Sequence, residues 1–450
     1  MQEGHNLDNT LHSRLTSYTE REAEYWSFRG KAVREQTHAY MQYPAMMVPQ
    51  MQGKLIQIFC ELLPSIKSVF DPFVGSGTVM TEAMLQGLNF AGQDINPLSV
   101  LVCHAKAGPF YQRILHDKVD NLFTQLAQDT SACIEADFPG LSKWFRDDIA
   151  IALSRIRRAI RREQDVWVRR FLWVALAEVV RLTSNSRTST FKLHIRPQEE
   201  IVQRELAAVD LFKRIVSENV TRLETHRTTL DRQGYLTDDR YRGVVKIAFH
   251  DSMVSPPVLD HAPIHDLLVT SPPYGDNETT VPYGQYSYLP LQWIDFEDID
   301  ANVDRSCLRT TKEIDNRSIG GKNRVRDPRD TDMLKDLSDA FKQTAVMLKD
   351  EPPDRMRRVA TFCCDLNQTL DPALAALKPN GYMIWTIGNR QVAGKPIPTD
   401  AILTELLMAR GATLVAKLQR AIPSKRMAVK NKVAATMRAE TVLIMRKCAV

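Results

Sequence analysis

The chain has 450 residues, 44% of them hydrophobic and 25% charged, ordinary proportions for a soluble globular protein of two or three domains with a sizeable core. Lys and Arg number 59 against 54 Asp and Glu, so the net charge of +5 permits a nucleic-acid partner without requiring one. No apolar run reaches the length of a bilayer crossing, and the seven cysteines form no Cys-x-x-Cys pair, which argues against a membrane protein, a disulfide framework or a metal site and for the reducing cytoplasm.

Residues 1–36 are polar and helix-compatible, with Tyr25, Trp26 and Phe28 as apolar anchors, and read as an N-terminal helical arm packed on something else. The opening MQEGHNLDNT lacks the apolar core of a secretory signal. A proline-punctuated loop follows from residue 37, then a helix with apolar spacing at Met51, Leu55, Ile56 and Phe59. A strand end runs into Asp71-Pro72-Phe73-Val74-Gly75-Ser76-Gly77-Thr78 and a helix over 79–86, with Thr78 as N-cap and Gly87 just past its end. A second strand over 90–95 contains Asp94 and stops at Asn96-Pro97. Strand, glycine turn, helix and acid-ended strand open an open α/β sheet, where ligands bind at the carboxyl ends of strands. The turn lacks the third glycine of a dinucleotide loop, and Asp71 would repel a pyrophosphate while suiting a cationic amino-acid group.

Residues 110–240 are helix-rich and read as an insertion between the second and third strands, dividing the α/β domain into 37–109 and 241–450. The helix over 149–162 carries Arg155, Arg157, Arg158, Arg161 and Arg162, a solvated face, whereas 166–181 is apolar nearly all round and reads as core. The loop 184–190 offers hydroxyls and Arg187 as phosphate donors, or is a plain loop.

The sheet resumes at 244–249, followed by Asp251 and Ser252, and again at 267–269, which runs into Thr270-Ser271-Pro272-Pro273-Tyr274. Two prolines cannot continue a strand ladder, so the backbone turns out of the sheet there. The turn presents a hydroxyl, a ring-fixed carbonyl and an aromatic face, the set needed to hold a planar amine such as that of a nucleobase. Beyond it, Tyr283, Tyr286 and Tyr288 precede Arg317, Lys322, Arg324 and Arg326, the makings of a nucleic-acid cleft or of a mobile loop. Helices are predicted over 331–349, 355–377 and 399–409, and strands over 382–388 and 440–445. Between Leu406 and Ala439 there is no Asp or Glu, while Lys417, Arg420, Lys425, Arg426, Lys430, Lys432 and Arg438 all lie there, an electrostatic footprint for phosphate.

The Asp71–Thr78 loop taken with Ser271-Pro272-Pro273-Tyr274 resembles the S-adenosylmethionine-dependent DNA amino-methyltransferases of restriction–modification and phage-defence systems, which methylate cytosine N4 or adenine N6. The resemblance covers about residues 37–108 and 244–446. It implies a Rossmann-like seven-stranded sheet flanked by helices, with 110–240 as a large helical insertion that binds DNA or a partner. On the cofactor side it implies S-adenosylmethionine held by the Phe73, Gly75, Gly77 and Thr78 loop, with Asp71 near its ammonium and Tyr43-Pro44 at its methionine end. Asp94 then meets the ribose, and Asp251 with Ser252 the adenine. Catalysis falls to Ser271, Pro272, Pro273 and Tyr274, and the serine form points to the cytosine branch. Double-stranded DNA is the implied partner, met by Arg317, Lys322, Arg324, Lys425, Arg426 and Lys430, with a cognate restriction or defence protein as a second. The commonest enzymes with this glycine loop carry their motifs in the reverse order, so the insertion, the 275–330 segment and the basic stretch near Lys425 compete as the target reader. An adenine-N6 or RNA guanine-N2 methyltransferase stands as the alternative enzyme. A non-catalytic nucleic-acid-binding module stands apart from both, and would need neither motif.

Overall fold

The computed structural model describes residues 2–32, 34–254, 265–322, 327, 329–422 and 439–448. In chain order the main elements are α1 (Gln2–Arg21), α2 (Pro49–Leu62), β1 (Ser68–Asp71), α3 (Thr78–Met84), β2 (Asn89–Asp94) and α4 (Pro97–Lys106). Between β2 and β3 run α5 (Gln112–Gln128), α6 (Asp147–Arg162), α7 (Val166–Thr183) and α8 (Ala208–Arg232). Then come β3 (Val245–Phe249), β4 (His265–Thr270), α9 (Tyr283–Leu291), α10 (Asp330–Leu337), α11 (Asp339–Met347) and α12 (Pro353–Ala375). The chain closes with β5 (Leu377–Gly388), α13 (Thr399–Met408), β6 (Ala412–Ala421) and β7 (Ala439–Lys447).

Seven strands form one sheet in the order β6-β7-β5-β4-β1-β2-β3. β3, β2, β1, β4 and β5 are parallel, and β7 runs antiparallel between β5 and β6. This is the Rossmann-like, helix-flanked α/β sheet expected. A parallel sheet is covered on both faces, so its strands read as near-continuous apolar runs. Successive residues then feed opposite cores. Val69, Leu267, Val269 and Ile384 pack with α2, α4 and α7, while Phe70, Leu268, Met383 and Trp385 pack with α12 and α13. The helices between β2 and β3 share the first of these cores with the sheet.

Several local expectations change. The arm α1 lies on this chain's own sheet: His12 Nδ1 bonds the Val415 carbonyl at 2.9 Å, and Asp8 accepts from Tyr382 and Arg446, each at 2.9 Å. The predicted helix over 331–349 is two helices broken at Ser338, whose hydroxyl caps the second by accepting from Phe341 N at 3.0 Å. β5 begins at Leu377 rather than 382, because Asn380 takes φ 61° inside a bulge where the register jumps from Leu377 to Tyr382. β6 was not expected at all. It takes up part of the acid-free stretch, pairing Lys417 with Asp400 at 2.6 Å and burying Arg420 against Glu440. The arginine face of α6 is spent in part: Arg157 pairs with Asp295 at 2.6 Å and Arg158 with Asp129 at 2.8 Å, while Arg161 and Arg162 are exposed as expected.

Candidate active site

The strands β1, β2, β3 and β4 bring their carboxyl ends to one edge, and the motif residues follow from there. β1 ends at Asp71, which is fully buried. Its Oδ1 accepts from Phe73 N at 3.0 Å and from Thr270 Oγ1 at 2.6 Å. Its Oδ2 has no partner among the described residues. Burial pushes this carboxyl up to about 7, against the lowering effect of the Thr270 and Phe73 bonds. A buried carboxylate with one idle oxygen suits a cation arriving from the edge.

The glycine loop turns back on β2. Gly75 and Gly77 take φ 52° and 76°, left-handed values that favour glycine, and a Cβ on Gly77 would sit 3.0 Å from Cys103 Sγ. Gly75 N donates to Asp94 Oδ2 at 2.9 Å, and Asn96 N donates to Oδ1 at 2.8 Å. Burial raises the Asp94 carboxyl to about 6. Gly77, not Thr78, is the cap of α3; Thr78 is its first, buried residue. Ser252, after β3, donates its hydroxyl to the Pro72 carbonyl and so ties the third strand to the same loop. Asp251 is half-buried and accepts from Met253 N at 3.0 Å.

Tyr43 and Pro44 are both buried, in a turn where Ala45 takes φ 47°. The Tyr43 hydroxyl bonds Ser99 Oγ at 2.5 Å and accepts from Asn96 Nδ2 at 3.1 Å. Asn96 also donates to Ser287 Oγ at 2.9 Å, and the Tyr43 and Tyr283 rings stack with centroids 6.0 Å apart. This loop, the β2 exit and α9 are therefore one braced unit.

The prolines release the backbone from β4 after Thr270. Ser271 Oγ donates to the Tyr274 hydroxyl at 3.2 Å, and the Tyr274 ring packs half-buried on the second core. Arg390 braces the turn from beneath: it bonds Asp276 Oδ2 at 2.8 Å and Thr279 Oγ1 at 3.0 Å. A Cβ on Gly275 would meet its Nη1 at 2.5 Å, so a side chain there would push the guanidinium out of this place. Asp276 is buried, which raises its carboxyl, but the Arg390 bond outweighs this and holds it below its ordinary value.

No family model matches the chain. The type II methyltransferase M.MvaI of Kocuria varians is 30% identical to it over 434 residues, 94% of this chain and 92% of that protein. The chain belongs to the type II methyltransferases. In this methyltransferase the Asp71–Thr78 loop and the Ser271–Tyr274 turn are joined by the Thr270–Asp71 bond, across 199 positions of sequence.

The basic residues singled out in the methyltransferase's sequence divide three ways. Arg317 is committed to Glu313 at 2.9 Å and Ser306 at 2.9 Å. Lys322 is exposed and pairs with Glu278 at 3.0 Å. Arg324, Lys425, Arg426 and Lys430 lie outside the described residues. Tyr286 and Tyr288 are buried, so they are core rather than stacking platforms; Tyr283 alone of the three is half-buried. The stretch just after the 184–190 loop reaches this edge: Lys192 donates to the Glu278 carbonyl at 3.3 Å, and Arg187, Thr188, Ser189 and Thr190 before it are exposed. Among the described residues no helix is long and apolar enough to cross a membrane, and no cluster of His, Cys, Asp or Glu could hold a metal. Thr270, Asn96, Arg390 and Glu440 were not singled out by sequence. Asn96 and Thr270 lie inside turns that the sequence marks, but nothing local marks Arg390 or Glu440.

Proposed function

We propose that this type II methyltransferase transfers a methyl group from S-adenosylmethionine to the N4 amine of a cytosine flipped out of double-stranded DNA at a specific sequence. The observation that carries the reading is the 2.6 Å bond from Thr270 to Asp71, which sets an idle buried carboxylate oxygen and the Ser-Pro-Pro-Tyr turn side by side on adjacent strands. The cofactor brings a methyl group on a sulfonium sulfur, which leaves as a neutral thioether. Asp71 would take its ammonium, Gly75 and Gly77 its methionine backbone, Asp94 its ribose hydroxyls and Asp251 with Ser252 its adenine. Tyr43 and Pro44 would close the methionine end.

A cytosine amine is a poor nucleophile, since its lone pair is delocalised into the ring. Ser271 Oγ and the Pro272 carbonyl would accept its two N–H bonds, draw the lone pair out of the ring and aim it at the methyl group, an alignment effect. Pro273 fixes that carbonyl's direction. Extruding the base costs a few kcal/mol, and stacking on Tyr274 returns about 1–3 kcal/mol. Lys322, Lys192 and Arg187 at the same edge, with the basic segment around Arg324, Lys425, Arg426 and Lys430, would hold the phosphates. Arg317, held by Glu313, would contribute charge from the second rank. A cytoplasmic enzyme working beside a cognate restriction or defence protein completes the proposal.

The test is transfer of a labelled methyl group to double-stranded DNA and, separately, to RNA. The account predicts label in DNA only, with turnover lost in Ser271→Ala while cofactor affinity stays within about twofold. Label in RNA alone, or equal loss of turnover and cofactor affinity, would contradict it.

A further inference from the structure

In the reading above, Ser271 must accept an N–H from the target amine. A serine hydroxyl has one proton and two lone pairs and rotates freely, so its proton has to be held away from the amine. We infer that Glu440 does this through Tyr274: a chain of donors running from Ser271 to Tyr274 to Glu440 fixes the serine as an acceptor and gives the surplus amine proton a destination. The inference rests on the methyl-transfer reading.

The geometry has a direction. Ser271 Oγ donates to the Tyr274 oxygen at 3.2 Å. Tyr274, having accepted, still has its own proton to give; burial first and then the Glu440 carboxylate push its phenol up, which marks that carboxylate as the acceptor it faces. Glu440 sits on β7, opposite Gly388 of β5 and Arg420 of β6, at the edge where the active-site turn emerges. Arg420 Nε donates to Glu440 Oε2 at 2.5 Å, and both side chains are largely shielded, 6% and 14% exposed. A carboxylate paired with arginine only accepts hydrogen bonds, so each hydroxyl before it must point its proton that way. The bonds in such a series strengthen one another in a low-dielectric site. Ring stacking alone needs no hydroxyl at position 274, since phenylalanine would stack as well.

The same chain balances the proton. Once the N–C bond has formed, the amine nitrogen carries a positive charge and one proton too many. That proton passes to Ser271 Oγ as the serine proton moves to the Tyr274 oxygen and the tyrosine proton moves to Glu440. The base ends neutral, both hydroxyls are restored, and the proton rests on the Glu440 carboxyl until water removes it. Glu440 thus acts through Tyr274 and Ser271 as a positioning residue.

The experiment compares the full-length wild type, Tyr274→Phe, Glu440→Gln and the double variant in single-turnover methyl transfer to cognate DNA, with cofactor and DNA affinities measured alongside. Each single variant is expected to lose about 10- to 100-fold in the transfer rate, with both affinities within about twofold of wild type. The double variant should be no slower than the slower single variant, because both cut one chain. Tyr274→Phe leaves the Arg420–Glu440 pair intact, so it reports even if Glu440→Gln fails to fold. Wild-type rates in Tyr274→Phe, losses that multiply in the double variant, or a fall in DNA affinity matching the fall in rate overturn the inference. If the wild type transfers no methyl to DNA, the underlying reading falls and this inference with it; transfer by the wild type with full rate in Tyr274→Phe overturns the inference alone.

Discussion

Asp71 shows how a single side chain can be both legible in sequence and reshaped by the fold. Its place before a glycine turn marks it as a candidate for holding the cationic end of the proposed cofactor, but not that burial would lift its carboxyl from an ordinary 3.8 to about 7. The sign follows from linkage. A folded value above the unfolded one means that the neutral acid is favoured in the fold, so its stabilising contribution is present below about pH 4 and is lost as pH rises through about 7. In the proposed cofactor site the dependence runs the other way, because an ammonium needs the charged form. Affinity is therefore expected to fall as pH drops below about 7, with uptake of a cofactor releasing a proton. Asp71→Asn should weaken binding about 10- to 100-fold at neutral pH, the equivalent of losing a charged hydrogen bond, and flatten most of the pH dependence. Calorimetry in buffers of different ionisation enthalpy measures both. An unchanged proton release in Asp71→Asn would place the titrating group elsewhere, with Asp94, at about 6, the next candidate. Residues such as Thr270 escaped the sequence for a plain reason: its partner Asp71 is 199 positions away.

At the scale of elements, the parallel strands were readable because buried strands are continuous apolar runs bounded by turn residues. β6 was not. A bulge between Leu414 and Ala416 breaks its alternation, and Lys417 and Arg420 give it the look of a phosphate-binding loop. Only the strand partners reveal that those charges are paired within the fold. The same holds for Asp298, an unremarked acid after α9 that is almost fully buried and receives Arg169 through two bonds of 2.8 and 2.6 Å and Trp173 Nε1 at 2.7 Å. It fastens α7 to the segment that follows the Ser271–Tyr274 turn. Asp298→Ala would leave an arginine and an indole N–H without their partner, so a loss of about 3–5 kcal/mol is expected. Denaturant midpoints at constant slope read this directly. A loss under about 1 kcal/mol would mean that water replaces the carboxylate at little cost.

Across the whole molecule, the long segment between β2 and β3 shares a continuous core with one face of the sheet. Just past its 184–190 loop it meets the segment after Tyr274, where Leu193 N donates to Gln285 at 3.4 Å and Phe191 packs edge-on to Tyr286. The sheet supplies the edge, the arm α1 packs on β5, β6 and β7, and the segment from β2 to β3 packs against one face of the sheet. That division of labour was visible in sequence only in part, since periodicity marks helices but not what they lie against. What the fold serves is methyl transfer to one kind of base, and membership of the type II methyltransferases leaves the base open. The neutral Ser271 at the head of the turn is what points to cytosine. The direct measurement is digestion of DNA methylated by this protein to nucleosides, with the product identified by mass. The account predicts N4-methylcytosine; N6-methyladenine as the sole product would contradict it.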